Sequence, residues 1–180
     1  MSVPRAVAFD LDGCLWEPEM YELWGGGGSP FVKKDNGDLV DKAGNTIMLI
    51  GDARSILTQL ATDDKFKNTH VATASSCDEP EWAHECLGKI ELGQGRSMGS
   101  VFRSHEIYKA TSKQVHLKKI CSDANCNPEE VIFFDNQMNN CKAVVKLGVT
   151  TVFTGSSGVT KQIWQKALQK FPAPGSILKL

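Results

Sequence analysis

The stretch Val7-Ala8-Phe9-Asp10-Leu11-Asp12-Gly13 decides how the rest of this chain is read. Three apolar residues run straight into two carboxylates one residue apart, and a glycine follows. An apolar run of this length reads as a buried strand, and residues i and i+2 of a strand share a face. Two acids delivered together at a buried strand end are costly to place without a use. Phosphoryl transfer through an aspartate uses such a pair, one carboxylate attacking phosphorus while the other handles protons beside it.

Outward from this stretch, strands and helices alternate. The first strand is read at residues 3–9. An irregular insertion at about 20–50 holds a four-glycine run, Gly25 to Gly28. The turn signals Asp35-Asn36-Gly37 and Lys42-Ala43-Gly44-Asn45 lie between β-favouring pairs and predict a small hairpin flap. Asp52 reads as the cap of a helix with Ala53, Ile56, Leu57, Leu60 and Ala61 on one face. Residues 70–74 form a second strand. Asp78 and Pro80 open a helix burying Ala83, Cys86, Leu87 and Ile90. A glycine-rich loop at 88–99 leads to a third strand around 100–107, then to a helix from about Ser112. The run Val131-Ile132-Phe133-Phe134 is a wholly apolar strand ending in Asp135. A helix then stops at Gly148, a natural left-handed cap. Residues 149–153 make the fifth strand, and Trp164, Ala167, Leu168 and Phe171 mark a closing helix. This alternation predicts an α/β fold: a doubly wound, mostly parallel five-stranded sheet in one domain over residues 1–180.

Composition narrows the function classes. The chain has 180 residues, 41% hydrophobic and 23% charged, with a formal net charge of −1. That balance speaks against a general binder of nucleic acid or of anionic membranes. No apolar run has the length of a membrane span. Six cysteines without a paired C-x-x-C spacing read as reduced, mostly buried thiols in a cytoplasmic protein.

In an open parallel sheet, ligands sit beyond the carboxyl ends of the strands where the strand order reverses. Asp10 with Asp12, Ser75, Lys113 and Asp135 fall at such ends or in the turns after them. In this order they resemble the four short motifs of the haloacid dehalogenase superfamily of aspartate-nucleophile phosphatases. Phe9-Asp10-Leu11-Asp12 with Leu15-Trp16, Val71-Ala72-Thr73-Ala74-Ser75, Ile107-Tyr108 with Lys113, and Phe133-Phe134-Asp135 with Leu147-Gly148-Val149-Thr150 resemble the small magnesium-dependent phosphatase family. That family has a Rossmann-like sheet and lacks a large cap domain.

The resemblance implies a Mg²⁺-dependent phosphomonoesterase. Asp10 is then the nucleophile and Asp12 the general acid and base. Mg²⁺ is held by Asp10, Asp135 and the backbone carbonyl of Asp12. Ser75, Ser76, Lys113 and the N–H groups of Leu11 and Asp12 meet the phosphate. The implied substrates are a sugar phosphate, a phosphorylated glycated amine or phosphotyrosine.

Four positions depart from the family's pattern. Cys14 stands for a threonine, Asn136 for a second acid after Asp135, Ser76 for an arginine, and Glu19 for an aromatic near the substrate. The last disfavours an aromatic or anionic leaving group. His116, one turn beyond Lys113, reads as a surface histidine, and Cys77 as an inert thiol. Two other readings share parts of the pattern. A receiver-like signalling domain also uses an aspartyl-phosphate and Mg²⁺, but carries its acceptor on a later strand. A phosphate-binding or partner-binding relative with little catalysis would have no reason to keep both Asp10 and Asp12.

Overall fold

A computed structural model describes residues 2–180. In chain order its elements are β1 (Ala6–Phe9), β2 (Trp16–Glu17), β3 (Val32–Lys33), β4 (Leu39–Val40), β5 (Thr46–Leu49), α1 (Ala53–Thr62), β6 (His70–Ser75), α2 (Pro80–Lys89), β7 (Glu91–Gly93), β8 (Arg96–Ser97), β9 (Ser104–Ile107), α3 (Lys113–Ala124), β10 (Val131–Asp135), α4 (Met138–Val144), β11 (Thr150–Phe153), α5 (Lys161–Lys170) and β12 (Ile177–Lys179).

Six of the strands form the central sheet in the order β12-β11-β10-β1-β6-β9, every neighbouring pair parallel. The chain leaves β1 towards β6 and β9, then returns to the other side of β1 for β10, β11 and β12. The order therefore reverses between β1 and β10, where Phe9 lies opposite Phe134. The expected five strands are six, because Ile177–Lys179 adds an edge beside β11. Only three residues long and preceded by Pro172, Pro174 and Gly175, that strand carries no periodic signal of its own.

Alternate residues of the sheet feed two apolar layers. Val7, Phe9, Ile132, Phe134 and Val152 pack with Ile56 and Leu57 of α1, Cys86 and Leu87 of α2, and Trp164 and Leu168 of α5. Ala6, Ala8, Ala72, Ala74, Val131 and Phe133 face Leu117 and Ile120 of α3 and Val144 of α4. Alanines on that second face bring α3 close to the sheet, which matters for Lys113 at its first position.

Both turn signals of the insertion close hairpins, and β2 joins them in a four-stranded antiparallel sheet ordered β2-β5-β4-β3. Its Phe31, Leu39 and Ile47 are buried in the same cluster as Leu11 and Trp16. Gly28, at φ +88°, donates to the buried Asp41 carboxylate at 2.7 Å, and a side chain there would collide with Trp82.

Three local expectations are corrected. The 88–99 loop contains the short hairpin β7–β8, and the third strand begins only at Ser104, behind a 3₁₀ turn at Met98–Val101. Asp52 precedes α1 without capping it; its carboxylate instead accepts from the Lys161 N–H at 2.7 Å.

Phe9 and Phe134 stack with centroids 5.1 Å apart, and Trp164 lies 5.6 Å from Phe134. Each phenylalanine directly precedes an acid of the sheet's reversal point. Phe134→Ala is expected to cost about 3–5 kcal/mol, read as a lower midpoint in urea unfolding.

Candidate active site

The sheet's reversal point brings two strand-end acids side by side. Asp10 continues β1, its N–H donating to the Phe134 carbonyl at 2.9 Å, and Asp135 closes β10. Their exposures are 5% and 0%. Between them stands Lys113, 2% exposed, with Nζ 2.5 Å from Asp10 Oδ1 and 3.5 Å from Asp135 Oδ2; Nζ also donates to the Ala74 carbonyl. The Ser112 hydroxyl caps α3 by accepting from the Gln114 N–H at 3.2 Å, so the helix starts where its first side chain can reach the acids. Burial opposes the charge on Lys113, but Asp10 and Asp135 outweigh it and hold the ammonium above the usual lysine range.

Asp12 sits on the tight loop after Asp10. Its Oδ1 accepts from the Trp16 indole N–H at 2.6 Å and its Oδ2 from the Met20 N–H at 3.1 Å. Burial foremost, against the pull of those two donors, pushes its carboxyl up to about 7. A carboxyl of that pKa can both give and take a proton near neutrality.

Asp10, Asp12, Ser75, Ser76 and Lys113 line one cavity of about 240 Å³, with Glu19, Tyr21 and Asp78 also on its wall. The N–H groups of Leu11 and Asp12 and the hydroxyls of Ser75 and Ser76 donate to no acceptor among the described residues. Unpaired donors around one buried ammonium suit an anion with several oxygens. A larger cleft of about 510 Å³ by the 35–37 turn offers less, because none of its charged side chains is buried: Lys33 pairs with Glu91 at 2.5 Å, Arg54 donates to the Glu91 carbonyl, and Lys34 reaches the Thr46 hydroxyl at 3.5 Å.

The family model for the acid phosphatases matches residues 2–173. The chain belongs to the acid phosphatase family. Human magnesium-dependent phosphatase 1 is 28% identical over 169 residues, covering 94% of this chain and 88% of that protein. A haloacid dehalogenase superfamily hydrolase from Ehrlichia chaffeensis superposes with a TM-score of 0.61 at 14% identity, covering 94% of this chain and 97% of its own. The phosphatase domain of a Bacteroides fragilis protein, solved with Mg, gives 0.58 at 13% identity, covering 96% of this chain and 42% of that one. The fold is that of the haloacid dehalogenase superfamily.

In this phosphatase the donor set beside Asp10 fits a hard divalent cation. The Asn136 amide lies 3.2 Å from both Asp10 Oδ2 and the Asp12 carbonyl oxygen. With its nitrogen inward it bridges them as a donor; with its oxygen inward it makes a third oxygen ligand, the chemistry Mg²⁺ takes. Gly13 permits this approach: at φ +71°, a side chain there would run into the Asn136 amide. Charge balance points the same way. Asp10 and Asp135 face one lysine, and burial together with the Asp10 charge pushes the Asp135 carboxyl up despite Lys113.

Sequence reasoning missed the residues that hold the acids in place. Asn140 donates to Asp135 Oδ2 at 3.0 Å and the Gln137 N–H to Oδ1 at 2.7 Å. The signal was present for Asn140, five residues past the motif acid on the opening turn of a helix, and absent for backbone donors. His116 is no surface residue. It is fully buried, stacked on Tyr108 at 4.4 Å, with Nε2 3.0 Å from the Tyr108 carbonyl, because α3 lies flat on the alanine face. Cys77 is buried, and burial pushes its thiol up to about 12. Cys14 directs its thiol at the Phe134 carbonyl, 3.6 Å away.

Asp12 and Asp135 bind protons more tightly in the folded chain than an unfolded aspartate does. Between pH about 4 and 7 these two groups hold more protons in the folded state than in the unfolded one, so their contribution to stability falls as pH rises. That is opposite in sign to the contribution of His70, His105 and His116, whose burial lowers their pKa. Thermal melts in EDTA should show that Asp12→Asn gains Tm relative to wild type as pH rises across that window, and saturating Mg²⁺ should stabilise wild type more at neutral than at acid pH.

Proposed function

We propose that this phosphatase is a Mg²⁺-dependent phosphomonoesterase working through an aspartyl-phosphate on Asp10. The observation that carries the proposal is the buried Asp10–Lys113–Asp135 cluster, whose Asp10 and Lys113 line one cavity with Asp12. Asp10 attacks phosphorus as the leaving oxygen takes the Asp12 proton. Asp12 then accepts a proton from the water that cleaves the aspartyl-phosphate. Lys113, the Ser75 and Ser76 hydroxyls and the N–H groups of Leu11 and Asp12 hold the phosphate oxygens. Asp10, Asp135, the Asp12 carbonyl and Asn136 would hold Mg²⁺, which offsets repulsion between the carboxylates and the phosphate.

The cavity of about 240 Å³ suits a small ester, a sugar phosphate or phosphorylated glycated amine, better than phosphotyrosine on a folded partner. Glu19 on its wall has no lysine or arginine partner among the described residues, which disfavours an anionic leaving group. In this reading residues 1–180 form one phosphatase domain, with the 20–50 flap beside the mouth of the cavity. A cytoplasmic setting accords with six free cysteines, and among the described residues no helix is long and apolar enough to cross a membrane.

Phosphate release from an aryl ester, from sugar phosphates and from a phosphotyrosyl peptide, each with Mg²⁺ or EDTA, tests this proposal. Asp10→Asn should reduce turnover by at least about 10³-fold. Ser75→Ala should reduce it by about 10²–10³-fold. Folded wild type that binds Mg²⁺ and phosphate but turns over no ester would leave a binding protein instead. With a poor leaving group, kcat/KM should fall as pH rises above about 7, because Asp12 must begin protonated. Asn136→Asp adds an anionic oxygen beside Asp10 Oδ2 and should tighten Mg²⁺ binding measured by calorimetry.

A further inference from the structure

Trp16 lies four residues beyond Asp12, fully buried, and its indole N–H meets Asp12 Oδ1 at 2.6 Å. The contact is anchored from both directions. The Gly13 N–H donates to the Trp16 carbonyl at 2.9 Å and the Trp16 N–H to the Leu11 carbonyl at 3.3 Å, closing the loop that carries Asp12. Beyond the loop, Trp16 pairs antiparallel with Leu49 of β5, so the flap sheet holds the backbone that carries the buried indole. Asp12 Oδ2 meets only the longer Met20 N–H contact, at 3.1 Å.

The indole N–H and the Met20 N–H are both donors and never acceptors, so the closer contact, 2.6 Å against 3.1 Å, is what separates the two oxygens. A carboxyl oxygen held this closely by such a donor serves as the carbonyl-type oxygen, which leaves the acidic hydrogen for the other oxygen. We infer that Trp16 is a positioning residue for the proton-transfer step: it holds Oδ1 and so directs the exchangeable proton to Oδ2. The inference rests on the proposed role of Asp12. In the first half-reaction, the Oδ2 proton passes to the leaving oxygen while the P–O bond to that oxygen breaks and the bond to Asp10 forms. In the second, a water proton passes to Oδ2 while water oxygen bonds to phosphorus and the Asp10–phosphorus bond breaks. Trp16 itself gains and loses nothing.

A buried indole also needs a hydrogen-bond partner for its own sake, so the test has to separate positioning from packing. Leaving groups do this. An alkoxide needs the Asp12 proton as it departs, whereas dinitrophenolate departs without it. Ethyl phosphate and dinitrophenyl phosphate are compared on wild type and Trp16→Phe, with inhibition by inorganic phosphate measured alongside. Positioning predicts a loss of about 10²-fold in kcat/KM on the ethyl ester, less than about threefold on the dinitrophenyl ester, and an unchanged phosphate inhibition constant. Equal losses on both esters, or none on the ethyl ester, would overturn the inference while leaving the phosphatase reading intact.

Should Trp16→Phe fail to fold, benzothienylalanine at position 16 removes the N–H and keeps the bicyclic shape, and the same split is expected. Folded wild type that hydrolyses neither ester would overturn the phosphatase reading, and this inference with it.

Discussion

The Lys113 ammonium between Asp10 and Asp135 is the interaction on which the site depends. Two carboxylates at adjacent parallel strand ends, both nearly sealed from water, repel each other in a medium that screens poorly. One lysine with Nζ 2.5 Å from Asp10 and 3.5 Å from Asp135 makes that placement tolerable. Losing one partner of such a buried group typically costs about 3–5 kcal/mol, since a charge is then left uncompensated. One positive charge against two negative ones still leaves a deficit, and the deficit prepares the site for a cation.

Placing Lys113 there is the work of the fold. The alanine-lined face of β1 and β6 lets α3 lie close, Ser112 starts the helix, and the first side chain of α3 reaches across to the strand ends. His116 secures the next turn through Tyr108, and so ties α3 to the end of β9. On the opposite face Phe9, Phe134 and Trp164 hold the backbone of both acid-bearing strands. Asp10, Asp135 and Lys113 are therefore held by rigid elements, and the loop residues Leu11, Asp12 and Gly13 are tied down by hydrogen bonds to Trp16 and Met20.

The flap takes part in the site as well as standing beside it. Its first strand, β2, contributes the indole that meets Asp12, and the turn after it contributes the Met20 N–H. Glu19 and Tyr21 from the same segment form part of the cavity wall. The segment leading into the flap is thus tied to both Asp12 and the mouth of the pocket.

Much of this was legible in the sequence, because strands and helices of an α/β chain are written by local periodicity. The runs ending in Asp10 and Asp135 are apolar without interruption, and their acids are conspicuous for that reason. The helix faces of α1, α2 and α5, the turns of the flap and the stop at Gly148 follow from short-range rules of packing and φ. Tertiary structure alone decided what depends on distance between elements. The sixth strand exists because β11 offers it an edge, and His116 is buried because α3 rests on alanines. Asn136 meets the Asp12 carbonyl because Gly13 lacks a side chain, and Asp12 is held by the indole of a residue paired into the flap sheet. The sequence determined which groups stand at the strand ends; only the packing of helix, loop and flap determined which of their atoms meet, since hydrogen bonds and charge pairs are set by ångströms that no local pattern encodes.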